Sequence, residues 1–145
     1  MSKFLKLIGL ILLTVSFNST SFSKENFFNE ALELFKKEKY EDARFLFERS
    51  IVFNPKDAKS YLYLAKIFNF EKNEEEEEKN LNTTLLLEPS NEQAMYMLIE
   101  IELKRSNYSR VKKLRDDFEI ICSDLCNKIQ SINETLQNIE PKKDS

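Results

Sequence analysis

The sequence predicts an all-α fold in which pairs of helices repeat along the chain. Glycine is nearly absent, because Gly9 in the N-terminal apolar stretch is the only one among 145 residues, and prolines number three. β-Hairpins need residues that accept positive φ, so this composition disfavours a turn-rich β-sandwich. Pro55 and Pro89 stand 34 residues apart, each at the end of a segment with helical apolar periodicity. We therefore expect helices that end at a fixed interval.

The composition also restricts the chemistry. There is no histidine, which excludes Ser-His-Asp triads, Cys-His pairs, imidazole metal sites and c-type haem attachment. Without glycine after residue 9, no glycine-rich loop can hold a phosphate. The net charge is −3, and no basic cluster follows the first residues, so nucleic acid is not an expected partner. We expect no catalysis, no cofactor and no metal; an enzyme with paired carboxylates is the alternative, although the sequence indicates no shared pocket.

Residues 1–23 have the pattern of a secretory signal peptide. Lys3 and Lys6 precede a short apolar run over residues 7–15, and small polar residues follow. We predict cleavage before Lys24, which makes the protein exported and periplasmic. The apolar run is shorter than the roughly 20 residues that span a bilayer, so no stable membrane span is expected after cleavage. An uncleaved N-terminal anchor is the alternative.

Chemically similar residues recur at the 34-residue offset. Four pairs match and a fifth does not: Phe27 with Tyr61, Ala31 with Ala65, Leu34 with Phe68, Phe47 with Leu81, and the dissimilar Leu32 with Lys66. This period is that of tetratricopeptide (TPR) repeats. Residues 24–57 resemble that family at its aromatic, small, bulky and proline positions: Phe27, Ala31, Leu34, Tyr40, Ala43, Phe47 and Pro55. The resemblance implies a solenoid of about three helix pairs that binds other proteins.

The repeat divides the chain into segments. We predict repeats over 24–57, 58–91 and, in degenerate form, 92–121, then a cysteine corner with a capping helix over 122–140 and a disordered tail over 141–145. Ala31 and Ala43 are small enough for two helices to approach closely. In the third repeat, apolar residues stay in phase at Leu98, Tyr108, Val111, Leu114 and Phe118, while Glu102 and Arg115 depart from the pattern. The capping helix is predicted from an apolar face of Leu125, Ile129, Ile132, Leu136 and Ile139, opposite a polar face of Asp124, Lys128, Gln130 and Glu134.

The second repeat departs most from the pattern. Glu74 replaces the aromatic residue of the turn, Glu77 replaces the small residue, and Leu81 stands where the first repeat has phenylalanine. We therefore expect this helix pair to pack more loosely. The acidic run over residues 74–78 is interpreted as a solvated helix start, where negative charge meets the positive end of the helix dipole. A cation-binding patch is the alternative.

Cys122 and Cys126 are the only thiols, and export favours their oxidation. A helix break near Ser123 and Asp124 would bring the two Cα atoms into the range of about 4.4–6.8 Å that a disulfide requires. Exported bacterial TPR proteins with a Cys-x-x-x-Cys corner before the last helix look similar to this region. Two free thiols on one helix face are the main alternative; a redox pair or a zinc site fits less well, because of the spacing and the missing histidines.

The resemblance to TPR proteins also implies a binding groove on the concave face, lined by the first helix of each pair. By alignment its twelve residues are Phe28, Leu32, Phe35, Lys36, Leu62, Lys66, Asn69, Phe70, Tyr96, Glu100, Leu103 and Lys104. Seven of them are apolar, which suits an amphipathic helix or an apolar peptide of another protein. Alternatively, Phe28, Leu32 and Phe35 cover an N-terminal segment or a second copy in a homodimer. The predicted function is an adaptor or assembly factor of the cell envelope; the alternative is a permanent accessory subunit of an envelope complex.

Overall fold

The computed structural model describes residues 24–139, and this part of the chain is a stack of three antiparallel helix pairs followed by one further helix. The helices are α1 (Lys24–Lys36), α2 (Tyr40–Phe53), α3 (Ala58–Phe70), α4 (Glu74–Leu87), α5 (Glu92–Lys104), α6 (Tyr108–Ile121) and α7 (Lys128–Ile139). Each packs against its neighbours along the chain, and residues 24–139 contain no strand. The prediction of an all-α helical-hairpin solenoid is confirmed. Within this range no helix combines the length and the apolar character needed to cross a membrane.

The turn inside each helix pair has the same left-handed residue. Glu38, Lys72 and Ser106 have φ of 58°, 57° and 57°, and they stand 34 residues apart. The N–H of Lys72 donates to the carbonyl of Asn69 at 3.1 Å, and the next N–H donates to the carbonyl of Phe68 at 2.9 Å, so the turn closes as a Schellman motif. Glycine normally fills this position because it has no Cβ to clash. The scarcity of glycine is evidence against β-hairpins. The turns between paired helices still require a residue with positive φ, and here non-glycine residues adopt it.

The turns between helix pairs contain the prolines. α2 ends at Phe53 and α4 ends at Leu87, two residues before Pro55 and Pro89, as the interval predicts. After the second of these turns, the side chain of Asn91 accepts a hydrogen bond from the N–H of Ala94 at 2.9 Å and caps α5.

Small and aromatic residues form the core between the helices. Ala31, Ala43 and Phe47 are 0% exposed, and Ala65 repeats the position of Ala31 with the same burial. Full burial of a side chain like that of Phe47 contributes about 1.5–3 kcal/mol. The residues that carry the repeat pattern are therefore the residues that hold the first pair together.

The second helix pair is not loosely packed, and that expectation was wrong. Glu77 and Leu81 are only 3% and 0% exposed. The longer side chain of Glu77 fits because its Oε1 accepts a hydrogen bond from Asn69 Nδ2 at 2.9 Å. Burial raises the pKa of Glu77, and the hydrogen bond from Asn69 partly opposes that rise. A buried carboxyl group with a hydrogen-bond partner at the surface thus replaces the small residue of the first repeat.

Glu102, the other departure from the pattern, is also buried, with 1% of its surface exposed. Its Oε2 accepts a hydrogen bond from Asn107 Nδ2 at 2.7 Å. Its Oε1 lies 3.1 Å from Arg110 Nη1 but in a geometry that makes an ion pair without a hydrogen bond. The charge at this core position is therefore compensated by an arginine from the adjacent helix.

The acidic run begins α4, as predicted, and the protein's own arginine binds part of it. Arg105, the residue after α5, donates to Glu74 at 2.7 Å and to Glu78 at 2.6 Å. Among the residues that the structure describes, no three carboxylates or cysteines converge as metal ligands do.

The segment between α6 and α7 is a compact corner. The Sγ atoms of Cys122 and Cys126 lie 2.03 Å apart as a disulfide, with their Cα atoms 5.2 Å apart. α6 ends at Ile121 and α7 begins at Lys128, so the two cysteines do not share a helix face. The carboxylate of Glu92 accepts hydrogen bonds from the backbone N–H groups of residues 123–125 at 2.9–3.2 Å. The corner is thereby tied to the first turn of α5.

The last helix covers the end of the core, but it begins later than the sequence pattern implies. Ile132 and Leu136 are 2% and 6% exposed and pack with Phe118. Leu125 and Asp124, which were assigned to its two faces, precede α7 and lie in the cysteine corner. The corner takes these residues because the backbone hydrogen bonds to Glu92 fix them outside the helix.

Candidate functional site

The twelve residues predicted for the groove lie on α1, α3 and α5, the first helices of the three pairs. The structure sorts them into an aromatic part, a lysine at the centre and a mixed charged part. Leu62 is the exception, because it is 7% exposed and packs into the core between the second and third pairs. Leu62 therefore packs beneath the surface of this face and exposes little area to a ligand.

The aromatic part joins α1 to α3 and the start of α2. The Phe35 ring lies 5.5 Å from Tyr40, 5.1 Å from Tyr63 and 6.3 Å from Phe70, measured between ring centroids. Phe28 contacts Tyr63 edge-on at 5.9 Å. Phe28 and Phe35 are half-buried, so they belong to the aromatic cluster and keep part of their surface free.

Phe70 is the most exposed aromatic residue predicted for this face. It stacks on Tyr40 with centroids 4.6 Å apart, and 56% of its surface remains exposed. Tyr40 and Tyr63 were not predicted as part of the site. Tyr40 was identified only as a repeat-pattern aromatic and Tyr63 had no assigned role, because sequence periodicity does not show which rings meet between helices.

Lys66 lies one turn before Phe70, at the centre of the face. Its Nζ lies 4.5 Å from the centroid of the Tyr63 ring, and its side chain is half-buried. Burial lowers the pKa of Lys66. Among residues 27–138, whose side chains the structure describes, no carboxylate comes within ion-pair distance of this ammonium. The face thus has a partly desolvated cation with no anionic partner in the described structure.

The remaining residues make the face polar towards the third repeat. Tyr96 is half-buried beside Phe118, at 6.1 Å between centroids, and burial with the nearby charge of Glu100 raises the pKa of Tyr96. Asn69 is held by Glu77, and Lys36 pairs with Glu33 at 2.8 Å. The other four residues are the half-buried Leu32 and Leu103 and the exposed Glu100 and Lys104.

Clefts occur on the outer side of the molecule. A cleft of about 410 Å³ is lined by α1 and α2 residues such as Leu34 and Phe45, and one of about 290 Å³ lies between Phe45 and Val52 on α2. Both are shallow and lack a convergent set of polar groups. We give more weight to the aromatic face, because solenoids bind extended segments along a face without an enclosed cavity.

The comparisons with known proteins rest on structure. No protein-family model matches the chain, and no curated protein matches it in sequence. The type III secretion chaperone SycD of Yersinia enterocolitica, in complex with a peptide of the translocator YopD, superposes with a TM-score of 0.71 over 79% of this chain and 92% of its own, at 14% identity. The fold is a tetratricopeptide-repeat solenoid. The TPR2B domain of yeast Sti1 in its pHsp70 complex gives 0.68 over 79% and 96%, at 17% identity.

A third TPR solenoid, the Sgt2 TPR domain of Aspergillus fumigatus, gives a TM-score of 0.67 over 84% of this chain and 87% of its own, at 13% identity. At these identities the likeness establishes the TPR architecture and no more. It agrees with the register read from the sequence, in which Ala31, Ala43 and Phe47 are core residues.

Proposed function

We propose that this chain is a protein-binding module that holds an apolar peptide or an amphipathic helix of another protein against the face formed by α1, α3 and α5. The observation that carries the proposal is that an exposed ring and a cation without a carboxylate partner lie on one turn of α3. Phe70 is 56% exposed, and half-buried Lys66 has no carboxylate partner among the side chains of residues 27–138. An apolar side chain of the ligand would cover the ring, and an acidic group would pair with the lysine.

The surrounding residues support this arrangement. Phe70 is held by Tyr40, and Phe35 is held by Tyr63, so the rings are already ordered before a ligand binds. Preordered aromatic anchors lose little conformational entropy on binding, and such residues dominate the energy of many interfaces. The TPR neighbours SycD and Sti1 were solved with a peptide of YopD and with pHsp70, respectively, which supports the same use of the fold here.

The place of action is proposed from the N-terminal segment, which lies outside the described residues. Its basic start and short apolar run support an exported protein that works in the cell envelope as an adaptor or assembly factor. N-terminal sequencing of the protein from its own cells should then begin at or near Lys24. A chain that begins at Met1 would contradict cleavage and favour the anchored alternative.

A cross-linking experiment tests the binding face. A photoreactive amino acid placed at Leu32 or Lys66 should form an adduct with the bound protein in cells, while the same probe at Glu134, exposed on α7, should not. Adducts that form only from Glu134 would contradict the proposal. A permanent subunit would give the same adduct in every growth condition, whereas a transient adaptor would not.

The matched variants are Phe70→Glu and Phe53→Glu. The two phenylalanines are 56% and 54% exposed, and each stacks on another ring, but only Phe70 lies on the proposed face. Phe70→Glu should abolish the adduct at Leu32, because a charge would have to be desolvated in the contact; Phe53→Glu should not. Phe35 is left intact, because its three ring contacts make it part of the fold. A folded Phe70→Glu variant with an unchanged adduct would exclude this face.

A further inference from the structure

A row of exposed aliphatic residues runs along the second helices of the three pairs. Val52 on α2, Leu86 on α4 and Ile120 on α6 are 75%, 81% and 82% exposed. Their numbers differ by 34 at each step, so they occupy the same position in successive repeats. Single exposed aliphatic residues are ordinary, but three at one repeat position place apolar surface on the second helix of every pair. The row lies on helices that do not form the proposed peptide-binding face.

The residues that directly follow the row residues make contacts within the fold. Phe53 stacks on the Phe27 ring at 5.4 Å between centroids, and Leu87 and Ile121 at the same repeat position are half-buried. The row residues themselves appear in none of the three core clusters. Packing within residues 24–139 therefore explains the apolar residue after the row but not the row itself.

The charges beside the row change sign from one end to the other. Three residues before each row position stand Arg49, Thr83 and Asp117, which are basic, neutral and acidic. Arg49 and Asp117 are exposed, and Arg49 lies 4.5 Å from the Phe27 ring centroid, a contact that keeps its charge at the surface. The turns after the same helices repeat the order with Lys56, Ser90 and Asp124.

We propose that the row is a contact surface for a second copy of this chain, related by a two-fold axis that runs parallel to α4 beside Leu86. Such an axis reverses the order of the repeats, so that Val52 meets Ile120 of the second copy and Leu86 meets its own equivalent. Arg49 then faces Asp117 of the second copy, and the symmetry produces this pair twice. The residues at this repeat position are basic, neutral and acidic in chain order. Two copies therefore present opposite charges to each other only when the order of repeats in one copy is reversed.

The charges also favour the reversed arrangement over the other two-fold arrangement. An axis along the row would keep the repeats in order and reverse the helices, which sets Arg49 and Asp117 against the uncharged Pro55 and Ser123, three residues after the row, so neither charge gains a partner. The reversed arrangement also has an unfavourable pair, Glu48 with Asp116 of the second copy, which the symmetry likewise produces twice. The contact is also small beside the roughly 1,200–2,000 Å² of a stable interface, and the outer side of a solenoid curves away from its centre. The dimer is therefore weak, sensitive to salt, and most dependent on Leu86.

The test is sedimentation equilibrium of the full chain at low salt over a wide concentration range. The wild type should associate reversibly to a dimer. Leu86→Glu should weaken association by about tenfold or more, because it places two carboxylates beside the axis. Phe70→Ser removes an exposed apolar residue from the other face and should leave the dimer unchanged. A wild type that stays monomeric, or equal losses in both variants, would overturn the proposal.

A reciprocal charge exchange identifies the occupant. Arg49→Asp and Asp117→Arg should each weaken the dimer, because each sets like charges against one another twice, and the double variant should restore it to within about threefold of wild type. Restoration occurs only where residue 49 meets residue 117 of another copy. A double variant as weak as the single ones means that the row binds a different protein or that copies meet elsewhere, and it would overturn the assignment. Circular dichroism of each variant confirms that losses do not reflect unfolding.

Discussion

Arg44 of α2 donates from Nη1 to both carboxylate oxygens of Glu71, the residue after α3, at 3.0 and 2.9 Å, and so joins the first helix pair to the second. One repeat later the same two positions hold Glu78 and Arg105, joined at 2.6 Å with the charges exchanged. If the first pair stacked directly on the third, Arg44 would lie against Arg105. The alternation therefore opposes stacking of the wrong repeats while it supports the native order.

Exchanging the first pair tests this alternation. Arg44→Glu with Glu71→Arg should restore most of the stability that either single change removes, because the pair is retained in reverse. Each side chain is about one third exposed, so we expect a coupling energy of about 0.2–1 kcal/mol from a double-mutant cycle in urea. Additive losses with no coupling would show that the bridge contributes nothing to stacking.

Enlarging Ala43 tests the register of the first repeat. Ala43 is 0% exposed, so Ala43→Leu should lower the free energy of unfolding by ~1–3 kcal/mol through overpacking. Asp42→Leu is the control, because Asp42 precedes Ala43 but is exposed, so a larger side chain is tolerated there. Equal thermal unfolding of the two variants and the wild type would be incompatible with a close helix approach at Ala43.

The left-handed turn residues offer a route to higher stability. Lys72 has φ of 57°, a region that costs an L-residue about 1–2 kcal/mol and costs glycine little. Lys72→Gly should therefore raise the free energy of unfolding by about 0.5–1 kcal/mol after the extra chain entropy of glycine is subtracted. Lys113→Gly, at an exposed position inside α6, should lower it by about 1 kcal/mol. Denaturant unfolding of both variants checks the opposite signs.

The cysteine pair is testable by mass. Alkylation of the unfolded protein without reductant should add no label to Cys122 or Cys126, and two labels should appear after reduction. Cys122→Ser removes the disulfide and leaves Cys126 as a free thiol, so one label should be added with or without reductant. Two labels on wild-type protein that was never reduced would exclude the disulfide.

Glu92 makes the corner sensitive to pH. Hydrogen bonds from Ser123, and then from Leu125 and Asp124, hold the pKa of Glu92 below its ordinary value of 4.5. Because the folded-state pKa is the lower one, the stabilisation is complete above pH 4.5 and is lost as the pH falls through the folded value. The difference in unfolding free energy between wild type and Glu92→Gln should therefore be largest at neutral pH and shrink below pH 4. A constant difference across this range would contradict the role of the charge.

Much of the fold could be predicted from the chain itself. The 34-residue interval between Pro55 and Pro89 and the small residues at Ala31 and Ala43 define helix pairs with a particular register, because helix ends and close approaches depend on local residue type. The structure confirms the all-α solenoid and buries these alanines completely. The segment boundaries, the export signal and the residues of the binding face remain predictions.

Only the tertiary structure decided which of these residues are exposed and which buried polar residues have a hydrogen-bond partner. Sequence placed Leu62 on the binding face, but the third helix pair buries it, and Tyr63 joins the aromatic cluster only because α1 and α3 lie side by side. In the sequence, Glu77 is only a departure from the repeat pattern. The structure shows that a hydrogen bond of 2.9 Å from Asn69 compensates its burial. A sequence determines its helices through contacts three or four residues apart, whereas burial and pairing depend on residues that only the stacked helices bring together.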